Sequence, residues 1–266
     1  ADIILTNDNF GAIVSAIEEG RAIYDNVRKF ITYIFSSNVP EVMPFVITAS
    51  FTHIPLALKV RQILAIDLGT DLFPALALGM EKPEPDVMTH PPHARNIKLV
   101  DNKLLARSFL WLGMIEAALC YTGFFFVYYA SGNWHLLHLP LPNILVPEIF
   151  WLPISQNQVH AMAVTVFHAG VVLAQVGNAF ACRSEKTRNT QLGWFQNKYL
   201  WFGVITEIIG IWSIINFDFL AVHFEHTFIP YKYWLGISFF PIILYGLEWI
   251  RKQFVRGIKP RPHQSV

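Results

Sequence analysis

Charge is scarce in this sequence. Only 15% of its 266 residues are Asp, Glu, Lys or Arg, against 53% hydrophobic and 15% aromatic, too few charges to coat an ordinary soluble domain of this size. A membrane protein is the class that remains. Cysteine is almost missing: Cys120 sits in an apolar run and Cys182 beside basic residues, which excludes a disulfide framework and a thiolate metal centre. Excess positive charge is missing too. The net charge is +1 and no basic stretch is interleaved with aromatics, so a nucleic-acid surface is excluded. No Ser/His/Asp order, phosphate-cradling glycine loop or zinc-protease motif occurs. His135 with His138, and His223 with His226, have i, i+3 spacing but lack the Cys or acidic partners of a metal site. The chain opens at Ala1 on a polar, acidic segment without the charged start and short apolar run of a signal peptide. It reads as a fragment of something longer.

What is present is a series of long apolar runs. A helix needs about 20 mostly apolar residues to span a bilayer, and six stretches qualify: Phe30–Phe51, Ile63–Met80, Phe109–Ala130, Ala161–Cys182, Leu200–Phe219 and Tyr233–Ile250. Six crossings place both ends on one side. On that side lie 17 of the 20 Lys and Arg residues, leaving only Lys59, Arg61 and Lys232 opposite. The asymmetry predicts cytoplasmic termini and independently supports the count of six. The connection from Ser131 to His160 is apolar but broken by Pro140, Pro142, Pro147 and Pro153, so it is no regular spanning helix; it lies along the interface or meets a partner. Tyr128, Tyr129, Trp134, Trp201, Tyr233 and Trp249 fit an aromatic belt.

Residues 1–29 differ from the rest. Asn7-Asp8-Asn9 supplies caps, and Ile13, Val14, Ile17, Ile23 and Val27 form a helix-like stripe among charged neighbours. The segment reads as the end of a soluble domain running into the first span. The division is therefore 1–29, a membrane domain over 30–252, and a cytoplasmic tail over 253–266, Pro-rich and loose from Lys259.

Ionisable groups inside spans are costly and point to function. In the first span Ser37, Asn38 and Glu41 are spaced to share one helix face. In the second, Asp67 and Asp71 stand four apart with Gly69, a helix-weakening residue, between them. Pro40, Pro44 and Pro74 each release the carbonyl four residues earlier. Freed carbonyls beside carboxylates make a site for a hard cation, and oxygen-only ligands favour Na⁺, K⁺, Ca²⁺ or H⁺ over soft metals. The plainer reading, hydrogen bonds that merely bind helices together, suits lone residues such as Ser213 and Asn216. It does not suit three carboxylates with prolines on adjacent helices. Glu116, Gln175, Asn178 and Glu207 stand between ligand, proton relay and helix contact. His168, within a span, is read as packing.

The run from Ala1 to Phe10, continuing to Glu18-Glu19-Gly20-Arg21, resembles the end of the phosphorylation domain of P-type cation-transporting ATPases. YIFSSNVPEVMPF from Tyr33 and IDLGTDLFPALALGME from Ile66 are similar to the fifth and sixth membrane helices of the sodium/potassium and calcium pumps. EKPEPDVMTHPP from Glu81 resembles the loop that follows. The resemblance implies an all-α membrane domain of six helices, preceded by a short piece of the soluble α/β phosphorylation domain. It implies a pump driven by ATP and Mg²⁺ through an aspartyl phosphate. By position it assigns cation ligands to Ser37, Asn38, Glu41, Asp67, Thr70 and Asp71, with Gln175 and Asn178 near a position that is acidic in some members.

Proton/potassium pumps carry Lys where this chain has Ser37, and the loop motif usually has Arg where this chain has His93; the cation stays open among Na⁺, K⁺ and Ca²⁺. The DKTGT, TGES and GDGxND motifs and four further membrane helices have no counterpart here, so these residues alone have no means to hydrolyse ATP, and no ATP or Mg²⁺ is expected on them. The implied partners are the lipid bilayer, the actuator, nucleotide-binding and phosphorylation domains, the first four helices, and a small membrane subunit at residues 131–160. An ATP-independent channel or secondary transporter is the alternative; a purely structural subunit fits less well, since two carboxylates exceed what helix contact needs.

Overall fold

A computed structural model describes residues 10–84, 87–89, 91, 98–140 and 147–257. The Asn7-Asp8-Asn9 caps, Pro142, His93, Arg95 and the tail from Lys259 lie outside the described residues. Six helices are long and apolar enough to cross a membrane: α1 (Phe10–Ser50), α2 (Val60–Gly79), α3 (Asn102–Ala130), α4 (Gln156–Cys182), α5 (Lys198–Asn216) and α6 (Tyr231–Val255). All six expected spans are present, and each helix begins earlier than hydropathy placed it. The reason is that polar first turns are helical without being apolar. Asp101 accepts a hydrogen bond from Leu104 N at 2.7 Å and Asn197 one from Leu200 N at 3.0 Å, satisfying amides that the first turn leaves open.

The extension is largest at α1. Residues 10–29 continue without a break into the first span, and no separate α/β unit or strand is seen among the described residues. Ile13, Val14, Ile17, Ile23 and Val27 stay exposed along this extension, so the apolar stripe is real but finds no cover within the described residues. Pro40 and Pro44 lie inside the continuous helix; they free carbonyls without unwinding it.

The helix α4 is the axis of the bundle. In its most apolar stretch 83% of residues are buried, against 28% for α6 and 33% for α5, so the latter two turn broad faces to lipid. Packing around α4 relies on glycine where backbones meet. A Cβ on Gly177 would stand 2.5 Å from the Pro241 carbonyl oxygen, and one on Gly203 2.7 Å from Pro74 N; α6 and α5 approach at these points because no side chain intervenes. Pro241 follows a turn at Ser238–Phe239 that interrupts α6, as expected where proline withholds its amide.

Two irregularities were not legible in the sequence as such. Turns of the wider π type occupy Ile66–Thr70 in α2 and Ala106–Gly113 in α3. Gly69 lies in the first, so the expected weak point is where the helix changes pitch.

The basic residues at the end of the bundle that holds the start of α3 are not left loose. Arg183 forks onto Glu81 (2.6 and 3.2 Å), Lys29 meets Glu84 at 3.3 Å, and Arg107 and Arg251 share Glu248 (2.8 and 2.7 Å). These pairs join α1 to the connection after α2, that connection to the one between α4 and α5, and α3 to α6. At the opposite end Lys59 pairs with Glu225, and Lys232 donates to the Trp151 carbonyl at 2.6 Å. The prolyl connection after α3 carries two short 3₁₀ turns, Trp134–Leu137 and Glu148–Phe150, and no spanning helix among its described residues.

Gly177→Ala is expected to lower the thermal midpoint of the detergent-solubilised full gene product, from an overpacking cost of about 1–3 kcal/mol. Gly246→Ala, with nothing within 4 Å of the added methyl, is expected to leave it unchanged. A fluorescence-monitored melting series on both variants checks the pair.

Candidate functional site

The face of α1 that meets α2 and α4 carries Tyr33, Ser36, Ser37 and Glu41, spaced i, i+3, i+4 and i+8, and all four are buried. Opposite them Asp71, 2% exposed, follows the π turn of α2. Tyr33 Oη donates to Asp71 Oδ1 at 3.0 Å, and Gln175 Nε2, from α4, donates to Oδ2 at 3.2 Å. The Ser37 hydroxyl, beside them on α1, donates to the Ile34 carbonyl at 3.1 Å. Asp71 therefore joins three helices through hydrogen bonds at membrane depth, where an unmet carboxylate is severely disfavoured.

A second string of bonds runs alongside. Asn178 Nδ2 donates to Ser36 Oγ at 2.8 Å and to Glu116 Oε2 at 3.4 Å, and Cys182 Sγ donates to Asn178 Oδ1 at 3.3 Å. Several buried acceptors then stand without a partner: one oxygen each of Glu41, Glu116 and Gln175, and both oxygens of Glu207. A cluster of buried oxygens with few donors can hold a proton or a hard cation.

The eight residues expected at the site do not share one fate. Ser37, Glu41, Thr70, Asp71, Gln175 and Asn178 are buried. Asn38 is half-buried and Asp67 is exposed. The Thr70 hydroxyl is turned back onto the Ile66 carbonyl at 3.1 Å. Gln175 and Asn178 are brought in by α4, and the acids left open, Glu116 and Glu207, are both fully buried. Among the described residues no three His, Cys, Asp or Glu side chains converge into a set that could hold a metal ion by themselves; the oxygen cluster depends on hydroxyls and amides as much as on acids. Tyr33 and Ser36 were not counted as site residues in the sequence. Their signal was there, in the spacing that puts them on the Ser37–Glu41 face.

A family model described as "Cation transporting ATPase, C-terminus" matches residues 55–254. The chain belongs to this cation-transporting ATPase family. Potassium-transporting ATPase alpha chain 2 of Cavia porcellus is 30% identical over 276 residues, covering 96% of this chain and 26% of the relative; the Homo sapiens protein of that name is 31% identical over 271 residues, with the same shares. Sodium/potassium-transporting ATPase subunit alpha-3 of Rattus norvegicus is 35% identical over 222 residues, 78% of this chain and 21% of its own length. This ATPase-family chain thus spans about a quarter of the length of the curated relatives it matches. Family membership and six apolar helices make it a multi-pass membrane protein.

In this member of the cation-transporting ATPase family, Tyr33→Phe and Gln175→Leu each strip one donor from Asp71. Each is expected to cost about 1–3 kcal/mol, the range for leaving a buried polar group short of a partner. Thermal melting of the solubilised full gene product checks this; a midpoint equal to the parent in both variants would mean that Asp71 is not held as described.

Proposed function

We propose that this chain is the membrane, ion-binding portion of an ATP-driven cation pump working through an aspartyl-phosphate cycle. The observation that carries the reading is Asp71, buried at membrane depth, bonded to Tyr33 and Gln175 from two other helices, and seated just after the π turn of α2. Such a carboxylate exchanges a held proton or cation when the helices around it shift, and a pitch change beside it supplies a place for that shift. Ser37, Asn38, Glu41, Asp67, Thr70, Asp71, Gln175 and Asn178 are the ligands of this reading, with Tyr33 and Ser36 positioning Asp71 and Asn178. Asp67, exposed here, is completed by membrane helices of the longer protein.

The printed names of the relatives, potassium-transporting and sodium/potassium-transporting, support a monovalent cation before Ca²⁺. The segregation of Lys59, Arg61 and Lys232 from the other basic residues supports cytoplasmic termini. The connection after α3, at residues 131–160, is the surface we assign to a small membrane subunit. ATP and Mg²⁺ do not fit the residues of this chain: no phosphate-cradling loop occurs, and the first turns of α3 and α5 are capped by Asp101 and Asn197. Hydrolysis belongs to the actuator, nucleotide-binding and phosphorylation domains. What these residues do is bind the cation, keep water from it and pass the conformational change across the membrane.

The full gene product in purified membranes is expected to show ATP hydrolysis stimulated by Na⁺ or K⁺, titrated separately against Ca²⁺, and Asp71→Asn is expected to lower that stimulation at least 10-fold. Hydrolysis indifferent to every cation, or to Asp71, would overturn the reading.

A further inference from the structure

On the side of the bundle away from the N-terminus, the connection between α5 and α6 is fastened to the start of α2 and to α4. Gln62, fully buried, is the centre of the fastening. Its Oε1 accepts from Lys59 N at 2.9 Å, and its Nε2 donates to the Phe224 carbonyl at 3.0 Å and lies 3.3 Å from His226 Nδ1. His226 Nε2 is 2.7 Å from His168 Nδ1 on α4. Around this core Lys59 pairs with Glu225, Arg61 donates to the His223 carbonyl at 3.3 Å, and Thr227 N donates to Thr165 Oγ1 at 3.1 Å.

These contacts settle the protons. Gln62 Nε2 is a donor, so His226 Nδ1 must accept; the remaining proton of the neutral ring sits on Nε2 and goes to His168 Nδ1. The chain Lys59 N–H, Gln62, His226, His168 is complete only when His226 is neutral. A second proton, on Nδ1, would face the Gln62 N–H, donor against donor. The amide has no rotation that repairs this, because its oxygen already serves Lys59 N.

We propose that the Gln62–His226–His168 chain is a proton-sensitive clasp that holds the α5–α6 connection onto α2 at neutral pH and releases it in acid on that face. Burial and the Lys59 charge oppose an imidazolium at His226, against a smaller favourable contribution from the backbone and charge of Glu225. Lys59, just before α2, and Arg61 on it are cationic, and Glu225, the neighbouring acid, is already engaged by Lys59. His168 on α4 is fully buried with its Nε2 unpartnered, while His160 on α4 is occupied with Tyr128 of α3 at 3.1 Å. His223, on the same connection, is exposed and turned to Phe224. Burial first, then the Lys59 charge, push the His226 ring down to about 4. An unfolded histidine takes its proton near 6.5, so the clasp is lost as pH falls through about 4, and closed-state stability declines from about 6.5 downward. The release acts on α2 four residues before the π turn that carries Asp67.

Hydrogen exchange of the full gene product in lipid nanodiscs tests the clasp without reference to transport. Protection factors, corrected for the intrinsic pH dependence, are read for residues 217–230 and 59–66 at pH 7 and pH 4. The reference is the connection at residues 183–197, at the other end. In the parent, protection at the clasp is expected to fall about 100-fold in acid while the reference holds; in His226→Gln the fall is expected to vanish. Gln62→Leu, which removes the donor that faces His226 and the Phe224 carbonyl, is expected to lower protection at pH 7 and to show no further fall at pH 4, and so tests the clasp even where His226→Gln does not fold. Equal loss at both ends, or the same acid response in the parent and in both variants, would overturn the proposal.

Discussion

A carboxylate at membrane depth tolerates few surroundings, and the arrangement of this bundle follows from supplying them to Asp71. Water is not available there, so donors must come from other helices: Tyr33 from α1 and Gln175 from α4. Bringing those donors within about 3 Å fixes the separation and rotation of three helices at once. The same demand explains why α4 is the most enclosed helix; it must reach Asp71 through Gln175 and, three residues on, Glu116 and Ser36 through Asn178.

Close approach then needs small residues, and glycine stands at the points of contact. Gly203 admits the Pro74 backbone and Gly177 that of Pro241. In both cases a proline, which cannot serve the helix ladder, is met by a glycine, which cannot obstruct it. The outcome is a packed interior that nevertheless contains two pitch changes, at Ile66–Thr70 and Ala106–Gly113. A π turn exchanges regular hydrogen bonds for altered side-chain directions, and here one lies directly before the central acid. The two ends of the bundle are treated differently. One is laced by forked Arg–carboxylate contacts, which resist movement; the other is held by lone contacts around an amide–imidazole chain.

Much of this was legible along the chain, and for a definite reason. Hydropathy is a property of composition over about 20 residues, so the six spans could be read without knowing any contact. The face shared by Ser37 and Glu41 was likewise a matter of helical period. The edges were misplaced because a capped polar first turn has no hydropathy. The α/β piece expected before the first span was not found over residues 10–29, where the same apolar stripe proved compatible with a simple continuation of α1.

What the sequence by itself determined is therefore the membrane class, the number of helices and the residue types from which an oxygen site could be built. Only the tertiary structure decided which of those oxygens meet. It turned Asp67 outward and Asp71 inward across one π turn, recruited Tyr33, and drew Glu116 and Glu207 into the interior. The physical reason is that the direction of a side chain depends on local helical pitch and on the rotation of each helix against its neighbours. Both are set by packing between segments as distant in the chain as Tyr33 and Asp71, or Asp71 and Gln175.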